Sequence, residues 1–134
     1  MDAVIVLIGP NDSSSKTRKF DAAYTSLLNL IVARYSPLPR PPKIISVCGG
    51  SINGLDPCEN IQAVTAAFNS GRSADGDSDG WVASYVTIDE ADWKNINNKW
   101  NGFLGCDEHY AESGHEVLMK DIEGQVRDVL GWQR

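Results

Sequence analysis

The chain has 134 residues, of which 42% are apolar and 22% charged. These proportions fit one globular domain and exclude collagen-like, low-complexity and disulfide-dense sequences. Twelve basic against eighteen acidic residues give a net charge of −6, which repels phosphate backbones and anionic lipid and argues against nucleic-acid and membrane-surface partners.

The first element lies almost at residue 1. Ala3 to Ile8 is a short apolar run rich in β-branched residues, closed by Gly9-Pro10-Asn11-Asp12. It reads as a buried strand of a parallel sheet. It is far too short to span a membrane, and Asp2 stands where a signal peptide would carry basic residues. From Lys16 to Tyr35, Phe20, Tyr24, Leu27, Leu28 and Ile31 fall on one helical stripe. Pro37, Pro39, Pro41 and Pro42 then forbid continuation of the helix. Lys43 to Cys48 reads as a second buried strand, stopped by Gly49-Gly50. A second helix is expected near Glu59 to Asn69, with Ile61, Val64, Ala67 and Phe68 on its apolar side.

Gly71 to Gly80 reads as a polar loop. Within it, Asp75-Gly76-Asp77-Ser78-Asp79-Gly80 matches the first half of a calcium loop. Val86 falls where the bidentate Glu should stand, so a solvated acidic turn is expected. Trp81 to Ile88 predicts a third strand. Residues 89 to 105 look irregular, because Asn95, Asn97, Asn98, Asn101 and Gly102 discourage regular structure. Ser113 to Leu130 predicts a last helix whose core stripe holds Val117, Leu118, Ile122, Val126, Val129 and Leu130. The order β-α-β-α-β-loop-α implies an α/β fold with parallel pairing and right-handed crossovers, and ligand sites at the carboxyl ends of the strands.

The cysteines Cys48, Cys58 and Cys106 contain no Cys-x-x-Cys pair, which excludes a zinc ribbon. Cys58 and Cys106 pair in one reading, tying the second helix to the histidine segment, and stay free buried thiols in the other. Both histidines, His109 and His115, lie in the segment before the last helix. Asp107, two residues before His109, suits a carboxylate that holds the imidazole Nδ1–H and leaves Nε2 as a base; a turn cap beside a solvated histidine is the plainer reading. Asn11, after the first strand, suits an amide donor to an oxyanion, or an ordinary turn residue.

Taken together, Gly9-Pro10-Asn11-Asp12 after an apolar strand and Gly105-Cys106-Asp107-Glu108-His109-Tyr110, then Gly114-His115, before the last helix resemble the SGNH (GDSL-type) hydrolases. The nearest look is to their carbohydrate-esterase branch, which contains acetyl xylan esterases. The resemblance runs from Asp2 to about Leu130 and corresponds to the C-terminal portion of that family's domain. It implies a three-layer flavodoxin-like α/β fold with strand order 2-1-3-4-5, of which residues 1–134 form one partial domain with about three strands flanked by helices.

The resemblance also implies roles. Asn11 and Gly9 shape the oxyanion hole. His109 is the general base and then the acid, and Asp107 orients it. His115 falls at a second, structural histidine. The substrate is a small-molecule or carbohydrate ester, most directly an O-acetylated carbohydrate, and no metal or organic cofactor is implied. Related enzymes are often secreted, although no signal peptide is visible here. Glu108 and Tyr110 replace the family's usual Trp and Pro, and Tyr110, Trp93 and Trp100 are candidate sugar-stacking faces, although core or surface packing is the plainer reading of the two tryptophans.

No Gly-Asp-Ser block stands upstream of Asn11, where the family carries its nucleophile, and Ser51, which follows Gly50, lies after the wrong strand to be the nucleophile. The chain thus reads as the C-terminal part of a serine ester hydrolase, or as a non-catalytic carbohydrate- or protein-binding module derived from one. In either case the first strand lacks a partner, and an unpaired apolar edge invites self-association.

Overall fold

A computed structural model describes residues 2–8, 17–49, 57–74, 80–98, 100–104 and 110–132. The protein is α/β. Among the described residues the elements run β1 (Ala3–Ile8), α1 (Thr17–Tyr35), β2 (Lys43–Cys48), α2 (Cys58–Ala74), β3 (Ala83–Thr87), α3 (Glu90–Ile96) and α4 (Glu112–Leu130). The strands form one parallel sheet in the order β1-β2-β3. None of the described helices is long and apolar enough to cross a membrane. The chain divides into two compact units, Met1–Tyr85 and Val86–Arg134.

In the first unit, α1 and α2 bury their apolar stripes against one face of the sheet. Phe20, Tyr24, Leu28 and Ile31 of α1 meet Ile61, Val64 and Phe68 of α2, together with Ile44, Cys48 and Ala83 from the strands. The helical stripes read from the sequence are therefore the core, except that Leu27 is 36% exposed and Ala67 faces outward. Asn60 Nδ2 donates to Asp21 Oδ1 at 2.9 Å, linking the two helices.

β2 is the central strand and is buried on both faces, from Ile44 to Cys48. β1 differs from the expected buried strand. Val4 and Val6 pack on the core, but Ile5 and Leu7 on its other face are half-exposed. Among the described residues β1 has β2 as its one neighbour, and Ile5 and Leu7 lie on the face of the strand opposite α1 and α2.

The cysteine pairing also differs from expectation. Cys48 is bonded to Cys58 with the Cα atoms 5.4 Å apart, so Cys58 does not pair with Cys106 and neither Cys48 nor Cys58 is a free thiol. β2 ends at Cys48 and α2 begins at Cys58, which brings the two within disulfide reach. Cys106 lies outside the described residues.

The second unit corrects the expected irregular stretch, because α3 forms within it. Asp89 caps this helix, accepting from the backbone N–H of Ala91 at 2.8 Å and of Asp92 at 3.3 Å. Glu90 and Asp92 sit in the first turn and Trp93 and Ile96 are buried. A carboxylate cap, acidic residues at the positive helix end and an i, i+3 apolar pair outweigh the weak helix propensity of Asn95. α3 packs against α4. Asp121 of α4 accepts from the Asp89 N–H, and Gln125 Nε2 donates to the Thr87 carbonyl at 2.8 Å. α4 ends at Gly131, whose φ of 70° is the left-handed cap that glycine adopts freely.

Candidate functional site

Gly9 and Asn11 follow β1, Ser51 follows β2, and Asp107 and His109 precede α4; all five lie outside the described residues, as do Cys106, Glu108 and the acidic run 75–79. What the structure does place is the frame on which the histidine segment is mounted.

Leu104 and Tyr110 form an antiparallel bridge. The Ala111 N–H donates to the Phe103 carbonyl at 2.8 Å, and Ser113 Oγ donates to the Gly102 carbonyl at 3.3 Å. The chain entering and the chain leaving residues 105–109 are thus hydrogen-bonded side by side. Immediately after them α4 starts at Glu112.

Gly114, in the first turn of α4, lets this junction close. A β-carbon there would stand 2.6 Å from the Phe103 carbonyl oxygen and 3.3 Å from Tyr110 Cβ, separations no side chain tolerates without movement. The Gly114-His115 pair read from the sequence therefore has two separate structural reasons. Glycine is needed for the close approach, and His115 packs edge-on against the Tyr110 ring with centroids 5.8 Å apart. His115 is exposed on α4.

Tyr110 is committed to this frame. Its ring also meets Trp93 edge-on at 6.2 Å, and its hydroxyl donates to Asn97 Oδ1 at 3.4 Å. Burial pushes the phenol above its ordinary value, and the Asn97 contact offsets part of that rise. Tyr110 is thus held by contacts to Trp93, Asn97 and His115. Trp93 lies in α3 and not in a loop, and it is buried, which is the packing reading of this residue and not the stacking one. Trp100 is 84% exposed.

The sequence reading missed the anchoring role of Asn97, Phe103 and Gly114. An Asp-capped helix beginning at Glu90 was the available signal, since it places Trp93 and Asn97 one turn apart. A separate cleft of about 300 Å³ lies between α1 and α2, lined by Thr25, Asn29, Val64, Phe68 and Arg72; it holds none of the expected site residues. The Arg72 guanidinium stacks over the Phe68 ring there, 5.0 Å from the centroid. Among the described residues no group of His, Cys, Asp and Glu is arranged to hold a metal ion. No protein-family model matches the chain, and neither a curated protein nor a solved structure shows significant similarity to it.

Proposed function

We propose that these residues are part of an SGNH-type acyl esterase acting on O-acetylated carbohydrate. Asn11 and Gly9 contribute to the oxyanion hole. His109 moves the proton between the serine and the leaving alcohol, and Asp107 holds its imidazole. No serine of the sequence lies upstream of Asn11, where the family's Gly-Asp-Ser nucleophile block stands. The observation that carries the reading is the pair of motifs at two element boundaries: Gly9-Pro10-Asn11-Asp12 begins where β1 ends, and Gly105-Cys106-Asp107-Glu108-His109 lies between the bridged residues Leu104 and Tyr110 just before α4. Parallel strands in the sequential order β1-β2-β3 are also what three consecutive strands of that family's three-layer sheet require. A Cys48–Cys58 disulfide suits the oxidising compartment in which such enzymes often work.

The test is hydrolysis of 4-nitrophenyl acetate and acetate release from acetylated xylan by the polypeptide of the complete reading frame that holds these residues. His109→Ala is expected to reduce turnover by at least about 10³-fold and Asn11→Ala by about 10²-fold. The 134-residue chain alone is expected to hydrolyse neither substrate faster than an inert protein. Unchanged turnover in His109→Ala overturns the reading. Glycan binding without any hydrolysis supports the binding-module reading in its place.

A further inference from the structure

The chain reversal that follows α3 is held by its own asparagines. The Asn98 N–H donates to the Asn95 carbonyl at 3.2 Å, and the Asn101 N–H to the Asn98 carbonyl at 2.9 Å. Asn98 Oδ1 accepts from the Trp100 N–H at 3.1 Å, the side-chain turn that asparagine favours. Asn101 Nδ2 donates back to Asn95 Oδ1 at 2.6 Å and to the Asn95 carbonyl at 3.3 Å. Gly102, at a φ of 72°, then turns the chain, and its carbonyl accepts from Ser113 Oγ of α4. These bonds fasten the reversal to α3 and to α4. Trp100 sits within it and is 84% exposed, the most exposed large apolar side chain among the described residues. An indole in water forgoes the stabilisation that burial would give, and here a bonded turn holds its backbone in place.

We propose that Trp100 is the stacking platform of a carbohydrate subsite, with the Asn98 and Asn101 side chains as its polar rim. A pyranose ring presents an apolar C–H face beside a fringe of hydroxyls that both donate and accept. Its recognition takes an aromatic face and fixed neutral polar groups. Asn98 uses Oδ1 and Asn101 uses Nδ2 within the turn. The same bonds orient the Asn98 Nδ2 donor and the Asn101 Oδ1 acceptor, and both residues are exposed. Amides held in place before binding cost less ordering than free side chains. The platform also stands near the frame of the histidine segment. Trp100 precedes Leu104 by four residues, at most about 14 Å of chain, and Leu104 is bridged to Tyr110 across residues 105–109. A sugar polymer with an ester group at that segment is long enough to reach Trp100 with another of its residues. The inference deepens the esterase reading, and the choice of acetylated xylan as the ligand rests on it.

The experiment is affinity electrophoresis of the 134-residue chain in gels holding acetylated xylan, deacetylated xylan or no polymer. Retardation by both polymers is expected, since stacking reads the ring and not the ester. Trp100→Ala is expected to weaken binding about tenfold, the size of one aromatic contact, and Trp100→Phe to keep part of it. Both variants are expected to keep the wild-type circular dichroism spectrum, because the side chain is exposed. Trp132→Ala removes another exposed indole and is expected to bind as the wild type does. In the polypeptide of the complete reading frame, Trp100→Ala is expected to raise KM for acetylated xylan and to leave turnover of 4-nitrophenyl acetate unchanged. Trp100-dependent xylan binding without any hydrolysis supports the subsite and overturns the esterase reading alone. A wild-type chain that neither polymer retards, or retardation that is unchanged in Trp100→Ala, overturns the subsite whether or not hydrolysis is observed. So does an equal loss in Trp132→Ala, or a Trp100-dependent dimer that xylan does not disperse, which assigns the ring to a protein contact.

Discussion

The Phe103 carbonyl oxygen occupies the space where a side chain at Gly114 would begin, 2.6 Å from the missing β-carbon. Gly124 lies in the same helix with nothing within 4 Å of its β-carbon position. The two glycines therefore respond oppositely to the same substitution. Gly114→Ala is expected to cost about 1–3 kcal/mol by overpacking against backbone. Gly124→Ala is expected to stabilise by about 0.5–1 kcal/mol through helix propensity. Urea denaturation of both variants checks the pair, and a stabilising Gly114→Ala would show that the junction is not tight.

The Cys48–Cys58 bond closes a short loop, with a sequence separation of 10. Constraint of the unfolded chain by a loop of this size is worth about 2–3 kcal/mol. Cys58→Ala should lower the urea midpoint accordingly. Reducing agent should lower the wild type to the same level and leave Cys58→Ala unmoved, since Cys48 is then a small buried apolar residue.

Two tyrosines set an alkaline limit. Tyr24 is buried, and burial raises its ionisation; the neighbouring Ser46 and Thr65 hydroxyls offset part of the rise. They do not satisfy the Tyr24 hydroxyl fully, because it and Ser46 Oγ are buried without a hydrogen-bond partner in good geometry. Tyr110 is raised by the same cause, partly countered by Asn97. In the unfolded chain each phenol ionises near pH 10, whereas the fold holds it neutral to higher pH. The stability at stake is fully present below about pH 10 and is lost as pH rises through the folded values. Tm measured from pH 8 to 11.5 should fall above about pH 10 in the wild type. It should fall less steeply in Tyr24→Phe and in Tyr110→Phe, while at pH 7 Tyr24→Phe should change stability by less than about 1 kcal/mol, since its hydroxyl has no well-formed hydrogen bond to lose.

The regular elements were readable from the sequence because their burial is strong and periodic. The stripe Phe20, Tyr24, Leu28, Ile31 and the unbroken run Ile44 to Cys48 leave one choice each. Ile5 and Leu7 misled because an apolar residue in a strand looks the same whether or not its face of the sheet is covered. The cysteine pairing was unreadable for a related reason. The ends of the two elements were legible at Cys48 and near Glu59, but the pairing depends on how closely the start of α2 lies beside the end of β2, which spacing along the chain does not show. Trp93 reads as a loop residue because the Asn-rich composition around it hides the local helix start at Asp89.

That helix start is testable on its own. Asp89 supplies the carboxylate that accepts from Ala91 and Asp92. Asp89→Ala should cost about 1 kcal/mol, and Asp89→Asn, which keeps a capping oxygen, should cost less. Thermal denaturation followed by circular dichroism distinguishes them. The Lys94–Glu90 ion pair, 2.6 Å long but exposed at both ends, should contribute no more than about 0.5 kcal/mol, so Lys94→Ala is expected to be close to neutral.

The proposed roles of Asp107 and His109 can be examined without any esterase activity. The chain contains only two histidines, so their imidazole nitrogens give a simple spectrum, and His115→Gln identifies which signals belong to His109. A carboxylate that holds Nδ1–H fixes one neutral tautomer and leaves Nε2 as the base. His109 should therefore show the Nδ1–H tautomer in the wild type and a mixture in Asp107→Asn. His115, whose ring rests on Tyr110, should be unaffected by Asp107→Asn. If the tautomer of His109 is the same with and without the Asp107 carboxylate, the two residues are not coupled. The Asp-x-His spacing would then mark only a turn before α4.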